Sequence, residues 1–313
     1  MLEYIGKRVL LSVPVLVGVL IVAFILIRLI PGDPVQLMLG INATPQAIAQ
    51  VEENLGLDQS LGGQFVSFAT GAMTFDFGDS IIRGTSVRQL IAARIAPSLY
   101  LIAGAVIVAI LIAVPLGILS AVRRNQAADH VVRLVSIVAF AMPTFWLGLM
   151  LALFLGLKLD LLPVSGYGEG VFGILESLTL PWLTLGLYLA PMLLRTLRAS
   201  LIETFEAEYV EAAQARGLSP ARVIGSHALR TSLIPLVTVL SINVGFLISG
   251  TVVVENVFQI PGLGSLLVQS VLSRDYPVIQ GLVFVFGVMV VVFSLLADVA
   301  YSLIDPRVRL GAG

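Results

Sequence analysis

Seven residues near the middle of the chain, Glu211-Ala212-Ala213-Gln214-Ala215-Arg216-Gly217, carry its most specific chemical pattern. Their types suit docking rather than bond-making. Two adjacent alanines let a helix approach a partner closely. The flanking Tyr209 and Leu218 can fill a pocket, and Glu208 and Glu211 can pair with a partner's arginine.

The residues of bond-making chemistry are present in the wrong company. A phosphate-cradling loop needs a lysine directly before a hydroxyl. Lys7 precedes Arg8, Lys158 precedes Leu159, and there is no third lysine. The two histidines, His130 and His227, form no H-E-x-x-H pair, and the chain has no cysteine, so neither a catalytic metal nor a thiolate site is expected. No G-x-S-x-G elbow occurs. The chain is therefore not expected to be an enzyme, to bind a cofactor or to bind nucleic acid. Transport, conduction or scaffolding remain.

The elements that must carry the docking stretch are apolar. Of 313 residues, 58% are hydrophobic and 12% charged, with a mean hydropathy of +1.02, against roughly 25% charged residues in soluble domains. So few charges cannot cover the surface of a soluble globule, and lipid must solvate much of it. Segments 9–30, 99–122, 131–157, 175–194, 233–254 and 279–303 are each long and apolar enough to cross a bilayer. Pro143 interrupts the third, which predicts a kink, and Pro181 and Pro191 bracket a short apolar core in the fourth. The expected architecture is an all-α membrane protein of six transmembrane helices, with an external loop cap between the first and second.

Basic residues set the orientation, because they stay on the cytoplasmic side. Twelve lie on the side shared by both termini: Lys7, Arg8, Arg123, Arg124, Arg133, Arg195, Arg198, Arg216, Arg222, Arg230, Arg307 and Arg309. Six lie elsewhere, which puts both termini inside a multi-pass inner-membrane protein. The expected organisation is a tail and first span over 1–30, an external region over 31–96, a core over 97–305 and a tail over 306–313. A cytoplasmic loop, 199–231, lies within the core. In the external region Pro31-Gly32-Asp33-Pro34 ends the first span. Thr44-Pro45 starts a short helix with Ile48, Val51 and Leu55 on one stripe and Gly56 at its close.

Within the cytoplasmic loop, Phe205, Tyr209, Ala212, Ala213 and Arg216 recur at helical spacing and predict one helix over 203–216. Glutamates crowd its N-terminal half and Arg216 its C-terminal end, as the helix dipole favours. Gly217 supplies a turn, and Ser219-Pro220 starts a second helix through Val223, Ile224 and His227. Inside the spans, Ser241, Asn243 and Ser249 are candidates for a translocation path, and hydrogen bonding between helices explains them equally well. Arg28 suits an interfacial anchor. Asp298 faces either a partner helix or water. Asp33, Glu255, Asn256, Pro261, Gly262 and Gly264 are candidates for an external gate or receptor contact, with an ordinary turn as the plain alternative.

The sequence resembles the permease subunits of the dipeptide, oligopeptide and nickel branch of binding-protein-dependent ATP-binding-cassette (ABC) importers. The similarity runs through Leu29-Ile30-Pro31-Gly32-Asp33-Pro34, Leu55-Gly56-Leu57-Asp58, Asp76-Phe77-Gly78 and the stretch from Glu208 to Leu218. It continues through His227-Ala228-Leu229-Arg230, Ile234-Pro235, Val254-Glu255-Asn256-Val257-Phe258, Pro261-Gly262-Leu263-Gly264, Arg274-Asp275-Tyr276-Pro277 and Asp305-Pro306-Arg307. The general importer loop has a proline after its glycine where this chain has Arg230, and here the proline arrives at Pro235. That departure implies that the second coupling helix runs further.

The resemblance implies a type I ABC importer permease fold and half of a translocation pathway for di- or oligopeptides, or for glutathione, a nickel chelate or another small solute. It implies a second homologous permease in a heterodimer, two ABC ATPase subunits that hold ATP and Mg, an external (periplasmic) solute-binding protein, and the lipid bilayer. It assigns ATPase coupling to Glu208, Tyr209, Glu211, Ala212, Ala213, Arg216, Gly217 and Leu218. A secondary transporter would instead show inverted repeats around a midplane charge, and neither is seen here. A non-transporting scaffold would need the docking loop to be incidental.

Overall fold

The computed structural model describes residues 2–26, 44–46, 59–219 and 222–304. Asp33, Arg28, the stripe Ile48, Val51 and Leu55, and Gly56 lie outside the described residues. The described residues form α1 (Leu2–Leu26), α2 (Leu61–Thr74), α3 (Val87–Val122), α4 (Ala127–Ala141), α5 (Thr144–Leu151), α6 (Gly170–Phe205), α7 (Glu208–Ala215), α8 (Leu229–Val257), α9 (Leu263–Ser273) and α10 (Tyr276–Ile304). Among the described residues five helices are long and apolar enough to span a membrane, or up to six if the bent pair of α4 and Thr144–Lys158 counts as one. The described residues divide into two compact units, one holding 98–260 with the described parts of 1–6 and 293–313, and the other the described parts of 7–97 and 261–292.

In the first unit α6 is the central helix. Leu185, Leu189, Leu193, Leu197 and Leu201 repeat every fourth residue and are buried, which makes one continuous ridge. The facing ridge of α3 is Leu101, Ala105, Ala109 and Ala113, also buried. Small residues let the two backbones close up. Gly104 lies against the Trp182 indole, Gly117 against Leu197, and Gly186 against Val108. The Trp182 indole N–H donates to the Tyr100 carbonyl at 2.9 Å. From the other side Gly250 of α8 meets Leu185, and α8 adds Leu236, Leu247 and Val254 to the same core.

The predicted kink at Pro143 is a break. α4 and the segment Thr144–Lys158 meet at 106°. Met142 takes an extended backbone, φ −79° and ψ 131°, as the clash with a following proline ring dictates. α6, by contrast, runs unbroken through Pro181 and Pro191, so the fourth span is longer than its apolar core. α3 likewise begins at Val87, well ahead of the expected 99. Here Arg88 and Arg94 sit within helix rather than loop, so hydropathy alone cut the element short.

The second unit gathers aromatic rings. Phe24 meets Phe65 edge-on at 5.2 Å between centroids, and Phe77 lies 5.8 Å from Phe284. α10 approaches α1 and the chain around Phe77 through two glycines, with Gly287 against Val19 and Gly281 against Phe77 and Val87. Asp275, 1% exposed, accepts from the Ser80 hydroxyl and from the Ile81 N–H at 3.3 Å.

Candidate coupling site

The docking stretch folds as a short helix on a short stem. The expected helix over 203–216 is broken: α6 continues to Phe205, Glu206 and Ala207 turn, and α7 starts at Glu208. Glu206 and Ala207 donate N–H bonds back to Glu203 and Thr204. Ala207 then offers its carbonyl to the Val210 and Glu211 amides at 2.9 and 3.2 Å. The residues before this turn therefore belong to the spanning helix, whose packing extends its register beyond the apolar core.

One face of α7 is tied down and the other is bare. Val210 and Ala213 are buried against Val223, with Leu218 packed beside them. Glu208, Tyr209, Glu211, Ala212 and Arg216 face outward, and Tyr209 is 48% exposed. Glu208 and Glu211 sit in the first turn of α7, where the helix dipole favours negative charge.

Gly217 closes the helix in the left-handed region at φ +81°. The Leu218 N–H donates to the Ala213 carbonyl at 3.3 Å, and Leu218 packs on Ala213, which together make a Schellman closure. A Cβ on Gly217 would meet nothing within 4 Å, so the glycine is required by its backbone angle and not by space. Beyond it, Arg222 and Val223 donate to the Ser219 carbonyl. The following π-helical turn, Val223–Ala228, runs directly into α8. The second helix is thus one piece with the fifth span, with Pro235 inside it, as the displaced proline implies.

The stem rests on a buried ion network that the sequence reading missed. Asp129, 0% exposed, takes both its oxygens to the Arg198 guanidinium of α6, Nε and Nη2 each at 2.7 Å. The Ser120 hydroxyl of α3 donates to Oδ1, and the Asn125 N–H donates to Oδ2 at 3.0 Å. Arg198 Nε also reaches Ser120 Oγ at 3.1 Å. Arg133 brings its Nε to 3.5 Å from Asp129, close enough for charge attraction but without hydrogen-bond alignment. A second, exposed pair joins Arg124 to Glu206, the first of the two residues between α6 and α7. Every oxygen of the buried carboxylate is therefore satisfied, as a charge out of water requires. The available signal was weak: an aspartate two positions ahead of an apolar run and an arginine just past the end of another.

The other candidates divide between the two units. Ser241 and Asn243 donate to carbonyls of their own helix, Val237 at 2.6 Å and Val239 at 2.7 Å, and Asn243 is buried. Ser249 is exposed. Glu255 is fully buried and accepts from the Ser98 hydroxyl at 2.6 Å, while the exposed Asn256 donates to the Val252 carbonyl at 2.7 Å. Pro261, Gly262 and Gly264 belong to the second unit, where Gly262 precedes α9. Among the described residues no group of three His, Cys, Asp or Glu is placed to hold a metal.

Comparison with known proteins gives a consistent picture. Residues 113–310 match the family described as binding-protein-dependent transport system inner membrane component. Residues 1–84 match the N-terminal region of the same membrane components. The chain is 37% identical over 309 residues to the glutathione transport system permease protein GsiC of Escherichia coli (strain K12), covering 99% of both. It is 35% identical over 309 residues to the probable peptide ABC transporter permease protein y4tP of Sinorhizobium fredii (strain NBRC 101917 / NGR234), covering 98% of this chain and 99% of that one. A chain from inward-facing conformations of the MetNI methionine ABC transporter superposes with a TM-score of 0.58 at 18% identity. That match covers 69% of this chain and 97% of the other, and it bears on the fold alone.

Proposed function

This chain belongs to the family of binding-protein-dependent transport system inner membrane components, and we propose that α7 is the handle by which partner ATPases drive it. It is a multi-pass permease subunit of an ABC importer. ATP hydrolysis takes place in two partner subunits, with ATP and Mg held there. A second, homologous permease completes the pathway, and an external binding protein delivers the solute. The observation that carries this reading is the two-faced α7. Val210 and Ala213 anchor it, while Glu208, Tyr209, Glu211, Ala212 and Arg216 stand outward on a helix closed by Gly217.

A rigid helix of this kind transmits a rigid-body displacement, which a loose loop would dissipate. ATPase closure and receptor docking act together only if both favour one state of the permease through contacts specific to that state. The excess of basic residues on the side of α7 supports placing both termini in the cytoplasm. The solute class follows the relatives: a peptide-like molecule, with glutathione included.

The test is co-purification of the full importer from membranes. The two ATPases and the second permease should accompany the wild-type chain in stoichiometric amounts, and Glu211→Lys should reduce the ATPases selectively. Unchanged ATPase recovery would remove α7 from the joint. Raised melting of the cognate receptor by glutathione or by a dipeptide identifies the solute.

A further inference from the structure

We infer that the turn between α3 and α4, residues 123–126, moves with α7 as one body, and that Asp129 and Arg198 are the positioning residues that make it do so. This rests on the coupling reading of α7 above. The turn is tied to α6 at two heights. Asp129 and the Arg198 fork, 69 positions apart in sequence, close the buried tie, with Ser120 and the Asn125 amide completing the carboxylate. Arg124 and Glu206 close the exposed tie at the stem of α7.

Asn125 takes a left-handed backbone at φ 63°, a strain that asparagine tolerates better than most residues. That conformation aims its N–H at Asp129. The two ends of α3 and α4 are thus gripped by the helix that carries α7.

A planar fork on a carboxylate resists rotation, because two parallel hydrogen bonds fix direction as well as distance. A displacement of α7 therefore reaches the facing ends of α3 and α4 through α6 by a polar tie as well as by the apolar contacts of α6 with α3. The buried pair is the stiff member. The exposed pair is weaker, since each partner is about half or more open to solvent and such pairs contribute little.

The chain lacks cysteine, so paired spin labels can be placed at Gln126→Cys in the turn and Ala215→Cys in α7 of the assembled importer in lipid nanodiscs. The labels are read without nucleotide and after trapping with ADP and vanadate. The distance distribution should stay single and unshifted between the two states. With Asp129→Asn added, trapping should broaden or shift it while the ATPases remain bound, and receptor-stimulated ATP hydrolysis should fall about tenfold, within the usual range of coupling between sites.

A distance that shifts on trapping in the unmodified background overturns the inference. So does an Asp129→Asn protein whose distribution matches its parent in both states. If Asp129→Asn does not assemble, the exposed tie decides. Arg124→Glu should broaden the trapped distribution and the added Glu206→Arg should restore it, and no difference among the three overturns the inference. Loss of the coupling reading itself shows separately, as ATPases that ignore Glu211→Lys.

Discussion

Glu211 and Asp129 are carboxylates of the same unit held under opposite conditions. Glu211 stands on the open face of α7, while Asp129 is wholly buried with every oxygen engaged. The first is free to meet another protein, and the second is already spent on this one. An exposed charge acts by its availability, and a buried one by the precision with which it fixes its neighbours. α7 and its footing divide along that line: an open face above a buried, fully paired charge.

Removing the guanidinium from the footing should have the largest effect. Arg198→Ala leaves the Asp129 charge buried without its main partner and should cost about 3–5 kcal/mol, read as a lower melting temperature of the purified complex. Unchanged melting would erase the contrast. Next comes the hinge of the handle: Gly217→Val forces a β-branched residue to φ +81°, a strain of about 1–3 kcal/mol. Solute uptake by cells should be lost while the amount of protein in the membrane stays constant.

A smaller change follows at the open face. Glu211→Lys should weaken ATPase association about fivefold, near 1 kcal/mol, in a titration of ATPase onto the permeases, with melting unmoved. Smallest is Arg124→Ala at the exposed tie, worth less than about 1 kcal/mol and fading as salt is raised. If Arg124→Ala rivals Arg198→Ala in melting, the exposed tie and not the buried one is the footing.

Much of this was legible in the sequence because it is local. Pro143 announced a kink, since a proline restricts both itself and the residue before it, and the packed chain turns that kink into a full break. Gly217 announced the end of a helix, and the angle found there is the one for which glycine is used. The limits of helices were harder to read. Arg88 and Arg94 concealed the start of α3, and the glutamates at 203 and 206 concealed where α6 gives way to α7, because a helix packed on its neighbours continues past its apolar run. Asp129 and Arg198 were invisible as a pair. Nothing in either neighbourhood refers to the other, and only the packing of α3 and α4 on α6 brings them to 2.7 Å.

The order of residues by itself determined that so apolar a chain needs lipid around it, that neither lysine stands directly before a hydroxyl and that a helix closed by Gly217 lies between two apolar spans. These follow from composition and from spacings of a few residues, which the backbone enforces wherever the segment sits. Tertiary structure alone decided which carboxylates are exposed and which are buried. That depends on charge partners far apart in the chain, and a buried charge persists only where folding delivers the opposite one.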